Sequence, residues 1–145
     1  MKTKGDAMGR FSVDFEVTNF YDMVRAEEGL IKAAEVRRRV ISGVVDPGAT
    51  HLVLPESLIK ELGLPDFKSK VKVRYADGRR GIRREVGGVH INLLGRPLTT
   101  TAIAEPKRTT ALIGAVILEI LDFLVDPKNM KLVPRDPDYV TSEIE

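Results

Sequence analysis

Asp46 is the residue whose setting could carry chemistry. It ends an apolar run, Val44-Val45, and is followed by Pro47, Gly48, Ala49 and Thr50. A glycine two residues after the acid lets the backbone turn with positive φ or lets another backbone come close. Ala49 keeps the surroundings small. A carboxylate held this way is fixed and partly desolvated, the condition under which it serves in proton transfer. The same three residues, Asp-Pro-Gly, also make an ordinary turn, with Pro at its second position and Gly at its third.

Other chemistries find little support. The chain has no cysteine, which removes disulfides, thiolate metal sites and cysteine nucleophiles. His51 and His90 stand alone, with no carboxylate at a readable spacing, so each reads as a structural or exposed side chain. No His/Asp/Glu cluster has metal-ligand spacing, so neither metal nor cofactor is expected. Arg37, Arg38 and Arg39 form one basic cluster, and Arg79, Arg80, Arg83 and Arg84 another. They could meet phosphates, but net charge is only +2 and aromatics are 6%. A solvated or edge-protecting face explains them as well, and nucleic acid is not the expected partner.

The 145 residues fit one domain, and 43% hydrophobic residues supply one core. The domain is expected over 11–135, after a flexible segment 1–10 and before an acidic tail 136–145 that carries Asp136, Asp138, Glu143 and Glu145. Met1 to Arg10 has no apolar stretch of signal-peptide kind. The longest apolar run, Ala111 to Val125, is broken by Gly114, Glu119 and Asp122 and is too short to span a bilayer. A cytoplasmic protein without a membrane partner is the expectation.

The elements that must position Asp46 are mostly strands. Phe11, Val13, Phe15 and Val17 alternate with polar residues, giving a half-buried strand. Asn19 to Ala34 is ambiguous, with room for a short helix that Gly29 would interrupt. Val36 to Val45 is β-branched and leads into Asp46. His51 to Leu54 reads as a short strand, Pro55 as the first residue of a helix near Glu56 to Leu62, and Gly63 as its stop. Val71 to Tyr75 and Arg80 to Val86 flank an Asp77-Gly78 hairpin turn. A further strand is expected over Val89 to Leu93, a turn at Gly95-Arg96-Pro97, and a return over Leu98 to Ala104. Ala111 to Ile113 reads as a buried strand, Val116 to Leu121 as a short helix, and Pro127-Lys128-Asn129 as the turn of a last hairpin. Many short strands with regular turns argue for a closed or folded-over β architecture.

In combination and order these motifs resemble the retropepsin-like, single-domain aspartic proteases. Val44 to Leu64 is similar to their active-site segment: apolar strand, Asp-x-Gly-Ala, short strand, then a Pro-led helix ending in Leu-Gly-Leu. Leu112-Ile113-Gly114 followed by Leu118 resembles the element that braces the active-site loop. Val125-Asp126-Pro127, Leu132 and Pro134 resemble the C-terminal hairpin. Val17-Thr18-Asn19, Asp22, Ala26, Gly29-Leu30-Ile31 and Glu35-Val36-Arg37 resemble a bacterial and archaeal branch.

The resemblance implies a mainly β, closed acid-protease barrel with one or two short helices. It implies a homodimer acting on a peptide or protein, with Asp46 catalytic in each subunit, since one chain carries one suitable Asp-x-Gly. Two carboxylates about 3 Å apart cannot both ionise easily and so share a proton. The hairpin bearing Tyr75, Asp77 and Gly78 would be the flap, although a surface hairpin with a core tyrosine fits the same residues. The family has Thr or Ser where Pro47 stands. There the hydroxyl bonds across the dimer axis, and Pro has neither hydroxyl nor N–H. A catalytically silent dimerisation or binding module is therefore the competing expectation.

Overall fold

The computed structural model describes residues 10–145, so 1–9 of the expected N-terminal segment lie outside the described residues. Nine strands form: β1 (Phe11–Asn19), β2 (Arg38–Val45), β3 (Leu52–Pro55), β4 (Asp66–Arg74), β5 (Arg80–Leu93), β6 (Arg96–Glu105), β7 (Ala111–Ile113), β8 (Phe123–Asp126) and β9 (Lys131–Pro134). Among the described residues three α-helices accompany them, α1 (Phe20–Glu27), α2 (Glu56–Leu62) and α3 (Ala115–Ile120), with a 3-10 turn at Ala33–Glu35. The sheet runs β1-β2-β7-β3-β6-β5, and β5 returns to β1 through Glu16–Asn19 against Val89–Asn92, which closes a six-stranded barrel. β4 hangs outside on β5, and β8 and β9 make a separate ribbon. Phe11, Phe15, Val17, Leu54, Ile91 and Ile113 are among the side chains that fill the interior. Apolar burial is the main driving force for closure. No helix among the described residues is long and apolar enough to cross a membrane.

Several local expectations are corrected. Among the described residues there are three α-helices, because the ambiguous segment after β1 forms α1. Asn19 caps it by accepting the Asp22 N–H at 3.0 Å, and Gly29 at φ +79° follows its end. Pro55 is extended (φ −61°, ψ 141°) and stands at the N-cap, not inside the helix. The strands expected over Arg80–Val86 and Val89–Leu93 are one, β5, with a bulge. Val86 pairs with Ala102 and Val89 with Thr100, so Gly87 and Gly88 face only Thr101. Gly88 has φ +63°, which glycine adopts without strain. The turn expected at Gly95-Arg96-Pro97 sits earlier, with positive φ at Leu94 and Gly95. Arg96 and Pro97 already belong to β6. β4 starts at Asp66, five residues before the periodicity suggested, because an irregularity between Asp66 and Lys70 hides the alternation.

The strand order decides what surrounds Asp46. β2 and β3 are joined by a short loop but are not neighbours. β7 lies between them, parallel to β2 and antiparallel to β3. The chain must therefore pass over the end of β7 at residues 46–51, while β7 leaves beneath it through Gly114 into α3. The two segments bond through backbone: Asp46 N–H to Ile113 O (3.0 Å), Ala115 N–H to Ala49 O (2.8 Å) and Val116 N–H to Thr50 O (3.1 Å). A Cβ on Gly114 would lie 2.5 Å from His51 O and 2.6 Å from Thr50 C. Only glycine fits where two backbones cross this closely.

A second set of contacts fixes the barrel's other end. Asn19 is buried; its amide donates to Leu62 O at 2.8 Å, tying the end of α2 to the start of α1. Asp22 is buried and accepts the Arg37 Nε at 2.8 Å, Nη2 at 3.1 Å and backbone N–H at 3.0 Å. These bonds, and the Arg37 charge, hold the Asp22 carboxyl below its ordinary pKa.

Two outcomes follow. Gly114→Ala should destabilise the protein by about 1–3 kcal/mol, because an added methyl must push backbone apart; urea unfolding reads this as a lower midpoint. Arg37→Ala should destabilise by about 1–3 kcal/mol, because it leaves the buried Asp22 carboxylate with the backbone N–H of residue 37 and Arg25 Nη1 at 3.2 Å in place of a bidentate guanidinium. A lowered Asp22 pKa gives stability that is complete above the ordinary value of 3.8 and is lost as pH falls through the folded value. The variant should therefore begin acid unfolding at a higher pH than the parent, as followed by circular dichroism.

Candidate active site

Asp46 projects from the end of β2 where the loop begins. Its Oδ1 accepts the Gly48 N–H at 3.0 Å, and its carbonyl accepts the Ala49 N–H at 3.1 Å. Pro47 and Gly48 are the middle residues of this turn, so the Asp-Pro-Gly turn and the candidate site are the same object. Gly48 does not have positive φ, and a Cβ there would meet only Asp46 Oδ1, at 3.2 Å. The expectation of a left-handed turn or a close backbone neighbour is thus corrected. The glycine serves by presenting its N–H to the carboxylate. The Asp46 side chain is 21% exposed, with Arg10 Nη1 3.7 Å from its Oδ2. A pair this long and this open contributes little stability, but it leaves one face of the acid open to a ligand.

The expected loop and bracing residues come together. Pro47, Gly48 and Thr50 are exposed and Ala49 is half-buried. Thr50 engages α3 through its carbonyl, not its hydroxyl. Leu112 pairs with Val44 and with Val53, and Ile113 with Val45 and Leu52, so β7 joins both flanks of the loop. The His51 side chain is exposed. His90, on β5, is half-buried, contacts Thr99 Oγ1 at 2.8 Å and stacks on Phe20 of α1.

The hairpin of β4 and β5 turns at Tyr75–Arg79. Gly78, at φ +88°, donates to Tyr75 O, and Tyr75 donates to Arg79 O, both at 2.9 Å. Asp77 holds this tip by pairing with the Arg79 side chain at 2.7 Å. Tyr75 is half-buried and reaches back to the barrel, its hydroxyl donating to Glu105 Oε2 at 2.7 Å. Arg83 Nε holds the other Glu105 oxygen at 3.0 Å. Burial, with Glu105 adding to it, raises the Tyr75 phenol above its ordinary pKa, so the hydroxyl stays a donor at neutral pH.

Most of the clustered arginines are paired: Arg37 with Asp22, Arg39 with Glu61, Arg79 with Asp77, Arg83 with Glu105 and Arg84 with Glu56. Their charge is spent locally. Among the described residues no group of three or more His, Asp or Glu side chains is placed to hold a metal ion.

Two neighbours of the site, Arg10 and Arg108, and the hairpin's anchor Glu105 carried no signal in the sequence. Arg10 ends an unpatterned segment, and the other two sit at or after the end of β6. Glu105 pairs with Pro55, at the end of β3 away from the loop, and it is the connection to β7 that carries Arg108 back to where the field of Asp46 reaches it. A shallow groove of about 930 Å³ runs beside the loop, with Pro47, Val116, Ile120 and Leu124 in its lining; Asp46 is outside it.

No curated protein matches the chain significantly. A family model described as aspartyl protease matches residues 33–114, from the turn before β2 through Asp46 and the hairpin to Gly114. With more than half of the chain matched and the closed barrel in place, this chain belongs to the retropepsin-like aspartyl protease family and is an aspartic peptidase-like domain.

Proposed function

We propose that two copies of the chain pair across a two-fold axis, so that two Asp46 carboxylates share one proton and hydrolyse a peptide bond. The observation that carries this reading is the geometry of Asp46. It is pinned by Gly48, fixed at the end of β2 by Ile113, and open on one side. One such loop per chain is half a dyad, and a two-fold partner supplies the same patch from the other side.

In the assembled dyad the ionised Asp46 takes a proton from water as the oxygen attacks the carbonyl carbon. The protonated Asp46 gives its proton to the carbonyl oxygen. The Asp46 that took the water's proton then gives it to the amide nitrogen as the C–N bond breaks, and a hydroxyl of the intermediate returns its proton to the other Asp46, which restores the dyad. The β4–β5 hairpin acts as the lid, with Tyr75, Asp77 and Gly78 near its tip, and presents backbone to an extended peptide. No cofactor takes part.

Support for the partner comes from the surface beside the loop. Val116, Ile120 and Leu124 are 40%, 47% and 53% exposed, and they share a groove with Pro47. Contiguous exposed apolar side chains mark interaction surfaces.

One observation favours a second reading, a silent dimerisation or binding module. Pro47 is exposed at the turn and offers neither hydroxyl nor N–H for a bond across an axis. Carboxylates placed loosely lose rate, about 100-fold for an error of about 1 Å.

The two readings part in one assay of cleavage of an unfolded protein, from acidic to neutral pH. As an enzyme, the parent should give pepstatin-sensitive cleavage with a bell-shaped pH profile, because the dyad must hold one proton and only one. Asp46→Asn should lower it by at least about 100-fold, and Pro47→Thr should raise it. A folded dimer that cleaves nothing, either as parent or as Pro47→Thr, establishes the silent module. Ile120→Arg should shift the assembly toward monomer in sedimentation and abolish cleavage with it. A monomeric parent removes the dyad.

A further inference from the structure

Arg108 stands in the connection from β6 to β7. Its Nε donates to Thr110 O at 2.9 Å, and its Nη2 donates to Thr110 Oγ1 at 3.2 Å and to Ala111 O at 3.3 Å. All three acceptors are neutral. Among the described residues no carboxylate lies within ion-pair distance of it, and none is a hydrogen-bond partner of its Nη1. A guanidinium has five N–H donors, so part of the fork is unused. Burial disfavours its charge, and Glu105 and Asp46 are the carboxylates whose fields offset this. Neither closes on it. Glu105 is held at both oxygens by Arg83 and Tyr75. Asp46 is held at Oδ1 by Gly48 and faces Arg10 at Oδ2.

A half-buried cation of this kind is stabilised by an anion, and planar bidentate recognition of a carboxylate is what a guanidinium does best. Its position suits a substrate. Arg108 is anchored to Ala111 O, and two residues further along β7 the carbonyl of Ile113 receives the Asp46 N–H. That separation is about 7 Å along a strand, close to the distance from one side chain to the next on the same face of an extended peptide.

We propose that Arg108 is a specificity-determining residue: it forms a subsite beside Asp46 that takes a Glu or Asp side chain of the peptide, one or two residues from the scissile bond. The inference rests on the peptidase reading of Asp46 for its substrate, but its test does not need turnover. The plain alternative is that Arg108 only ties the β6–β7 connection to β7 through the carbonyls. Such a role has no reason to tell a charged ligand from its neutral isostere.

The test uses the full chain and statine-containing peptides that mimic the tetrahedral intermediate. Within a set they differ at one position, as Glu, Gln or Lys, scanned over the two residues on each side of the statine. Calorimetry should find Glu bound about tenfold or more tighter than Gln at one position, a charged hydrogen bond's worth of affinity, with Lys weakest. Arg108→Gln should bring the Glu/Gln ratio close to one, and Arg108→Lys should keep part of it. Added salt should shrink the ratio in the parent. A ratio near one in the parent, an unchanged ratio in Arg108→Gln, or no binding of any statine peptide overturns the subsite. So does dissociation of a dimer by Arg108→Gln and Arg108→Lys alike, which would assign the missing anion to the partner subunit. Arg108-dependent discrimination without cleavage of the matching peptides leaves the subsite standing and removes the peptidase reading. Cleavage without charge preference does the reverse.

Discussion

Two stretches of backbone cross at Gly114 with no room for a side chain between them. The crossing arises from strand order: β7 is inserted between β2 and β3, so the loop that joins those strands must ride over the end of β7. Three backbone hydrogen bonds, from Asp46, Ala115 and Val116, lock the loop to the segment beneath it. The Asp46 carboxylate inherits its position from this contact. Because the bonds are between main-chain groups, the loop's placement does not depend on the side chains at 47, 49 and 50. A proline can therefore occupy position 47 without dismantling the loop. What it removes is outward-facing: a hydroxyl and a donor at the rim.

The polar groups of the interior are arranged by the same economy. Asn19 accepts from the first turn of α1, donates to the last carbonyl of α2, and gives its own N–H to Arg37 O. Arg37 in turn pairs with Asp22. Asp122 does similar service at the other end, accepting Arg135 Nε at 2.7 Å and the Thr141 N–H at 3.1 Å. Arg135 is the main reason its carboxyl also lies below the ordinary pKa. Each buried carboxylate thus has a guanidinium and a backbone donor, the arrangement that makes a buried charge tolerable. Arg108 departs from that pattern: its acceptors among the described residues are all neutral.

The hairpin outside the barrel is built differently. β4 pairs only with β5, and its outer residues Lys68, Lys70 and Lys72 are exposed, as befits an edge that must not recruit another strand. Its tether is polar: Tyr75 and Arg83 on Glu105, near the end of the strand that leads to Arg108. A ribbon tied down near its tip by a few hydrogen bonds opens at lower cost than a barrel strand.

Local order in the sequence specified local structure. Alternation marked β1, Gly63 marked the end of α2, Asp77-Gly78 marked the hairpin tip, and Val44-Val45-Asp46 marked a carboxylate at a strand end. Each of these rests on side-chain period or backbone preference over a few residues, which a single sequence displays directly. The importance of Gly114 came through resemblance, because an isolated glycine before a short helix says nothing of what presses on it. The joining of Arg80–Leu93 into one bulged strand, the closure of β1 on β5, and the approach of Arg10 and Arg108 to Asp46 were decided by tertiary structure alone. Those contacts link residues tens of positions apart, and they exist only once burial of the common core has selected one strand order from the many that the same local patterns allow.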